Sequence, residues 1–128
     1  MVKIVIAGHY GFPKGMKKTG EFISGLEHEL IACTLHSDEQ PEDYKEKLQS
    51  VIQSEKDADQ IIIFCDLIGG TPFKAAMQLA QKTDKQIKIV GGANLPSLLT
   101  GIMIKDNMNL EDIISEVIKE GKNGIKAF

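Results

Sequence analysis

The sequence predicts an α/β protein, a single domain built on an open, mainly parallel sheet with helices on both faces. Three observations carry that expectation. Short runs rich in Val and Ile, such as Val2–Ala7 and Ile61–Cys65, alternate with longer segments whose apolar residues recur at helical spacing. The run Ile61–Cys65 is apolar at every position, as suits a central strand covered on both sides. The 128 residues, 42% of them apolar, are enough for one buried core and too few to expect two. Strand–helix–strand connections are almost always right-handed, which places such helices against the faces of a parallel sheet.

The first strand, Val2–Ala7, runs into a glycine-containing stretch, Gly8–Gly15, read as a loop. From Met16 the apolar residues Phe22, Ile23 and Leu26 follow helical spacing, and Leu30–Leu35 is a second, less regular strand. Pro41 can open a helix, with Ser37 and Asp38 as capping candidates and Tyr44, Leu48, Val51 and Ile52 as its apolar stripe. After the strand Ile61–Cys65, the segment Gly69-Gly70-Thr71-Pro72 reads as a tight turn, then an N-cap, then a proline at the first helical position. Phe73, Ala76, Met77 and Ala80 continue that helix. Ile87–Val90 is the next strand and Leu95–Ile104 a helix. A final helix over Leu110–Lys119 turns Ile113, Ile114, Val117 and Ile118 inward and is closed by Gly121 and Gly124. The tail Ile125–Phe128 is suited to pair as an edge strand, in this chain or a neighbouring one.

Composition removes several function classes. All 15 basic residues are lysines scattered among 18 carboxylates, and the net charge of −3 leaves no basic footprint for a nucleic-acid backbone. No apolar run approaches the roughly 20 residues of a spanning helix, and Val2–Ala7 is too short for a signal peptide core, so a cytoplasmic location is expected. Cys33 and Cys65 stand far apart among apolar neighbours without metal-site spacing; they are expected to be reduced core thiols, and no metal site is expected.

In parallel α/β sheets, ligands sit at the carboxyl ends of the strands. That rule selects the loop holding His9 and the loop Asp66–Thr71. An aspartate accepting a hydrogen bond from one imidazole nitrogen fixes the tautomer and leaves the other nitrogen with an outward lone pair, as a nucleophile requires. The same carboxylate stabilises the positive charge that develops on the ring during attack. Backbone amides around Gly70 and Thr71, at a helix N-terminus, are placed to hold phosphoryl oxygens, and the Thr71 hydroxyl adds a donor. Each residue alone also has a structural reading: a solvated loop histidine, an aspartate capping a strand end, an efficient strand-to-helix turn. Their convergence on neighbouring strand ends is what points to chemistry. His28 and His36 have no comparable setting and read as surface residues.

The residues that carry a family resemblance are spread along the chain. They are Ile4–His9, Lys18-Thr19-Gly20-Glu21, Asp66–Ala76 with its Gly-Gly-Thr-Pro core, Gly91–Pro96, and the ending Gly121–Phe128. In this pattern the sequence resembles the mannose-family IIA components of the bacterial phosphoenolpyruvate-dependent sugar phosphotransferase system. The resemblance implies a phosphohistidine carrier in which His9 accepts a phosphoryl group, Asp66 is its hydrogen-bonding partner and Thr71 helps hold the group. It implies the histidine-phosphorylated protein HPr as donor, a separate IIB domain as acceptor, and contact with a membrane only through the sugar permease components. It also implies a homodimer that exchanges the C-terminal strand, and transfer without metal or organic cofactor. Alternatives are a regulatory module that senses phosphorylation, the phosphocarrier subunit of a dihydroxyacetone kinase, or a flavodoxin-like nucleotide binder, although neither GxGxxG nor a P-loop is present. One position departs from the family pattern: Tyr10 follows His9 where glycine is usual.

Overall fold

The computed structural model describes all residues, Met1–Phe128, as four strands and five helices. The elements are β1 (Val2–His9), α1 (Phe12–Ser24), β2 (Leu30–Leu35), α2 (Pro41–Ser54), β3 (Gln60–Cys65), α3 (Thr71–Ala80), β4 (Gln86–Gly91), α4 (Leu95–Ile104) and α5 (Leu110–Asn123). The sheet is wholly parallel, in the order β2-β1-β3-β4. From β1 the chain moves outward to β2, then returns to place β3 on the other side of β1. The strand order therefore reverses between β1 and β3, the point at which such folds open a crevice beyond the strand ends.

Alternation along the central strands divides the core in two. Ile4 and Ile6 with Ile62 and Phe64 face α1, α4 and α5, meeting Leu98, Ile102, Ile113 and Val117. Val5 and Ala7 with Ile61, Ile63 and Cys65 face α2 and α3, meeting Tyr44, Leu48, Ile52, Ala76 and Leu79. Burial on both faces explains why β1 and β3 are continuous apolar runs.

Helix α1 differs from the sequence expectation at both ends. It begins at Phe12, so the connection from β1 is only Tyr10-Gly11, far shorter than Gly8–Gly15. Gly11 is the N-cap and Pro13 lies in the first turn, where its missing N–H costs nothing. The helix stops at Ser24, with Gly25 in the left-handed conformation at φ 71°, so Leu26 lies beyond it. Phe22, expected to face the core, is 86% exposed, and Ile23 is also exposed. The packed side is instead Phe12, Pro13, Met16 and Gly20. Gly20 brings the backbone so close to α4 that a Cβ there would lie 3.1 Å from Leu98 Cδ2.

Other corrections are smaller. The N-cap of α2 is Gln40, without a side-chain cap, while Ser37 and Asp38 lie in the preceding turn. The N-cap of α3 is Gly70, and Thr71 is already helical; Met77 on α3 and Ile118 on α5 are exposed, not inward. Helix α5 continues through Gly121 to Asn123, because Gly121 packs against α4 instead of ending the helix. Helix α4 has the expected bounds, held by a reciprocal capping box between Asn94 and Ser97. Residues 125–128 follow α5 without joining the sheet, so no fifth strand forms within the chain. No helix is long and apolar enough to cross a membrane.

Cys33 and Cys65 are buried free thiols aligned with Ala7 from opposite sides. Two strand spacings separate them, about 9–10 Å, too far for a disulfide. Burial, with the Asp66 charge adding to it, pushes the Cys65 thiol up to about 12, and burial also raises Cys33. Native protein at pH 7 should therefore leave Ellman's reagent colourless, whereas denatured protein should release two thiols. An acid whose pKa is raised by folding contributes stability that is complete below its unfolded pKa and is lost as pH rises. Stability should accordingly fall above about pH 8.5, by roughly 1.4 kcal/mol per pH unit from Cys65 alone. Denaturant midpoints at pH 7 and pH 10 check this.

Candidate active site

The reversal in strand order brings two of the expected site residues into contact. His9 is the last residue of β1, and Asp66 is the first residue after β3. Asp66 Oδ2 accepts two hydrogen bonds from His9, one from the backbone N–H at 2.8 Å and one from ring Nδ1 at 2.9 Å. The His9 side chain is 40% exposed and that of Asp66 12%. The imidazole thus meets solvent while the carboxylate lies beneath it. Asp66 Oδ1 is buried without a partner, so every hydrogen bond to this carboxylate comes from His9. With Nδ1–H committed to Asp66, Nε2 carries the free lone pair.

Two glycines make room for this pair. A Cβ on Gly70 would lie 2.9 Å from His9 Cε1 and 3.5 Å from Nε2. A Cβ on Gly8 would lie 2.9 Å from Asp66 Cγ and 3.0 Å from Oδ2. Gly70 was expected at the site for its amide, and its proximity to the imidazole adds a steric role. Gly8 was not expected there. The sequence pattern puts Gly8 at the start of a loop, whereas β1 runs through it to His9, and a glycine inside a strand often marks a close approach by another group.

Helix α3 starts beside the imidazole. Gly70 caps it without a side chain, and the first bond of the helix runs from Lys74 N–H to Gly70 O. The N–H groups of Thr71 and Phe73 lie in the first turn, where helix geometry supplies no partner, and Pro72 has none to offer. An uncapped helix N-terminus next to Nε2 is a receptive place for an anion. Thr71 opens this helix and lines a hollow of about 170 Å³ together with Lys45, Lys74 and Gln78. His28 lies in an exposed turn and His36 is exposed at the end of β2; neither joins the pair. No three His, Cys, Asp or Glu side chains converge as a metal site would require.

Fold and site together define a doubly wound parallel α/β domain with a histidine–aspartate pair and an anion-receptive helix end at its switch point. The model of the family described as the PTS system fructose IIA component, EIIA-man, matches residues 3–118, and the chain belongs to that family. It is 30% identical over 118 residues to the PTS system sorbose-specific EIIA component of Lacticaseibacillus casei, covering 92% of this chain and 84% of that protein. It is 27% identical to the PTS system fructose-specific EIIA component of Bacillus subtilis, covering 91% of this chain and 80% of that one. The crystal structure of a phosphotransferase system component EIIA from Streptococcus agalactiae superposes with a TM-score of 0.90 at 30% identity, covering 100% of this chain and 98% of that one.

Proposed function

We propose that this protein is a phosphocarrier of a sugar phosphotransferase system, taking a phosphoryl group from phosphorylated HPr onto His9 and delivering it to a IIB domain. The observation that carries the reading is the double acceptance by Asp66 Oδ2. The carboxylate anchors the His9 backbone and ring together, leaving Nε2 as nucleophile beside the α3 amides.

The donor enters as a phosphoimidazolium, protonated on its second ring nitrogen. The Nε2 lone pair of His9 forms the new N–P bond as the donor's N–P bond breaks, and that electron pair returns to the donor's nitrogen, releasing neutral imidazole. His9 becomes the phosphoimidazolium, keeping its Nδ1 proton against Asp66, so protons and charge balance. Asp66 stabilises the cationic ring, and the Thr71 and Phe73 amides with the Thr71 hydroxyl hold the phosphoryl oxygens. Positioning and electrostatics suffice for such a step without a metal or organic cofactor. The acceptor reverses the sequence from the same nitrogen.

In this reading the carrier works in the cytoplasm and meets the membrane only through its permease partners. It forms a homodimer in which residues 125–128 pair along the open edge of β4 in the second copy. The test is incubation with phosphoenolpyruvate, enzyme I and HPr, followed by intact mass measurement. One added phosphoryl group, acid-labile and base-stable, is the expected result. No addition, while HPr itself is phosphorylated, would reject the reading.

A further inference from the structure

Tyr10 follows His9 directly, and its backbone is left-handed, with φ 53°. Apart from the exposed turn residue His28, no other non-glycine residue has positive φ. A tyrosine held there costs free energy that glycine would not, because its Cβ crowds the neighbouring carbonyl. Burial of the ring does not offset that cost, since Tyr10 is 81% exposed. The turn itself is fixed, because the Tyr10 N–H donates to Leu35 O at 3.0 Å and α1 begins two residues later. The side chain is therefore displayed to solvent from a constrained backbone directly after His9.

Across the imidazole, the loop after β3 presents Leu67 at 58% and Ile68 at 74% exposure. A Cβ on Gly70 would lie 3.8 Å from Leu67 Cβ as well as against the His9 ring, which places Leu67 beside the reaction centre. Ile68 leans over Gly91 at the end of β4, where a Cβ would lie 2.5 Å from its Cγ1. Two loops beside His9 thus carry exposed apolar side chains: Tyr10 on the β1–α1 turn, whose backbone is bonded to β2, and Leu67 with Ile68 on the loop after β3.

We propose that Tyr10 is a specificity-determining residue whose ring docks against the apolar surface around the phosphohistidine of the carrier protein that donates to His9. The inference rests on the phosphocarrier reading. Reacting atoms must approach to about 3–3.5 Å before transfer, so a protein donor must lay its surface on the residue next to His9, whereas a small donor need not. Exposed aromatic residues at the centre of a contact are those that most often dominate its affinity. Leu67 and Ile68 form the opposite margin of the same contact.

The test compares wild type, Tyr10→Gly and Tyr10→Phe with two donors, phosphorylated HPr and phosphoramidate, a small donor with a P–N bond. Tyr10→Gly removes the ring and relieves the left-handed backbone, so loss of folding does not obscure the result. The ratio of kcat/KM for phosphorylated HPr to that for phosphoramidate should fall about tenfold in Tyr10→Gly, through KM, and recover in Tyr10→Phe. An unchanged ratio would overturn the docking role, and so would an equal fall with both donors, which would make Tyr10 a positioning residue for His9. If neither donor labels wild type, the phosphocarrier reading itself fails and takes this inference with it.

Discussion

His9→Ala is expected to reduce phosphorylation by HPr to nothing detectable, and Asp66→Asn to slow it about 10²-fold while leaving the product the same. The two substitutions remove different things. In the proposed reaction alanine removes the nitrogen that forms the N–P bond, whereas His28 reaches only the exposed Glu27 carboxylate, at 3.9 Å, and the exposed His36 ring has no carboxylate hydrogen-bonded to it as His9 has Asp66. Asparagine at 66 keeps the shape and removes the charge. Because Oδ2 faces two His9 donors, the amide must turn its oxygen there, which preserves the Nδ1–H tautomer. Its NH₂ then falls where Oδ1 is buried without a partner, so a small stability loss should accompany the kinetic one. The rate loss itself reports the carboxylate's stabilisation of the phosphoimidazolium. Single-turnover transfer from phosphorylated HPr, read by quenched intact mass, separates the two. Retained labelling in His9→Ala would assign the chemistry to another residue.

Strands and the site were legible in the sequence to different depths. Strands β1 and β3 were visible because burial on both faces leaves uninterrupted apolar runs, and α4 because Asn94, Pro96 and Ser97 write its start into local chemistry. The start of α1 is ambiguous in the sequence because Gly11, Pro13 and Gly15 all signal a loop, yet a glycine cap and a first-turn proline also begin a helix. Its inward stripe was misplaced for a related reason. The side that packs most closely contains Gly20, which has no side chain for an apolar pattern to register, while Phe22 and Ile23 are apolar and exposed. At the site, His9 and Asp66 could be paired because strand ends on adjacent parallel strands converge. Gly8 could not be assigned, since what a glycine leaves empty is visible only when the group filling that space is known. The apolar tail suggested a strand, but pairing depends on an edge that lies elsewhere in space, and within this chain the tail joins none.

Adding one methyl group at Gly70 or Gly8 is expected to cost about 10²-fold in transfer, an effect out of proportion to the change. Neither position needs glycine for its backbone. Gly70 has φ −76° and ψ 173°, which any residue adopts, and Gly8 lies within a regular strand without positive φ. The cost therefore arises from space alone. In Gly70→Ala the new Cβ meets His9 Cε1 at 2.9 Å, and the exposed ring, softer than the sheet around it, must swing away by several tenths of an ångström. That movement lengthens the Nδ1 contact to Asp66 and turns Nε2 from the α3 amides. In Gly8→Ala the methyl strikes the carboxyl at 2.9 Å from Cγ, and Asp66 has little freedom to move, its side chain being only 12% exposed and tied to His9 by both of its hydrogen bonds. Gly8→Ala should thus lower thermal stability as well as transfer, whereas Gly70→Ala should lower transfer with little effect on melting. Gly11→Ala provides the contrast, since a Cβ there meets nothing within 4 Å and φ is −80°, so transfer should stay near the wild-type rate. If Gly70→Ala transfers as fast as Gly11→Ala, the orientation of the imidazole does not limit the reaction, and the control exerted by Asp66 must be purely one of charge.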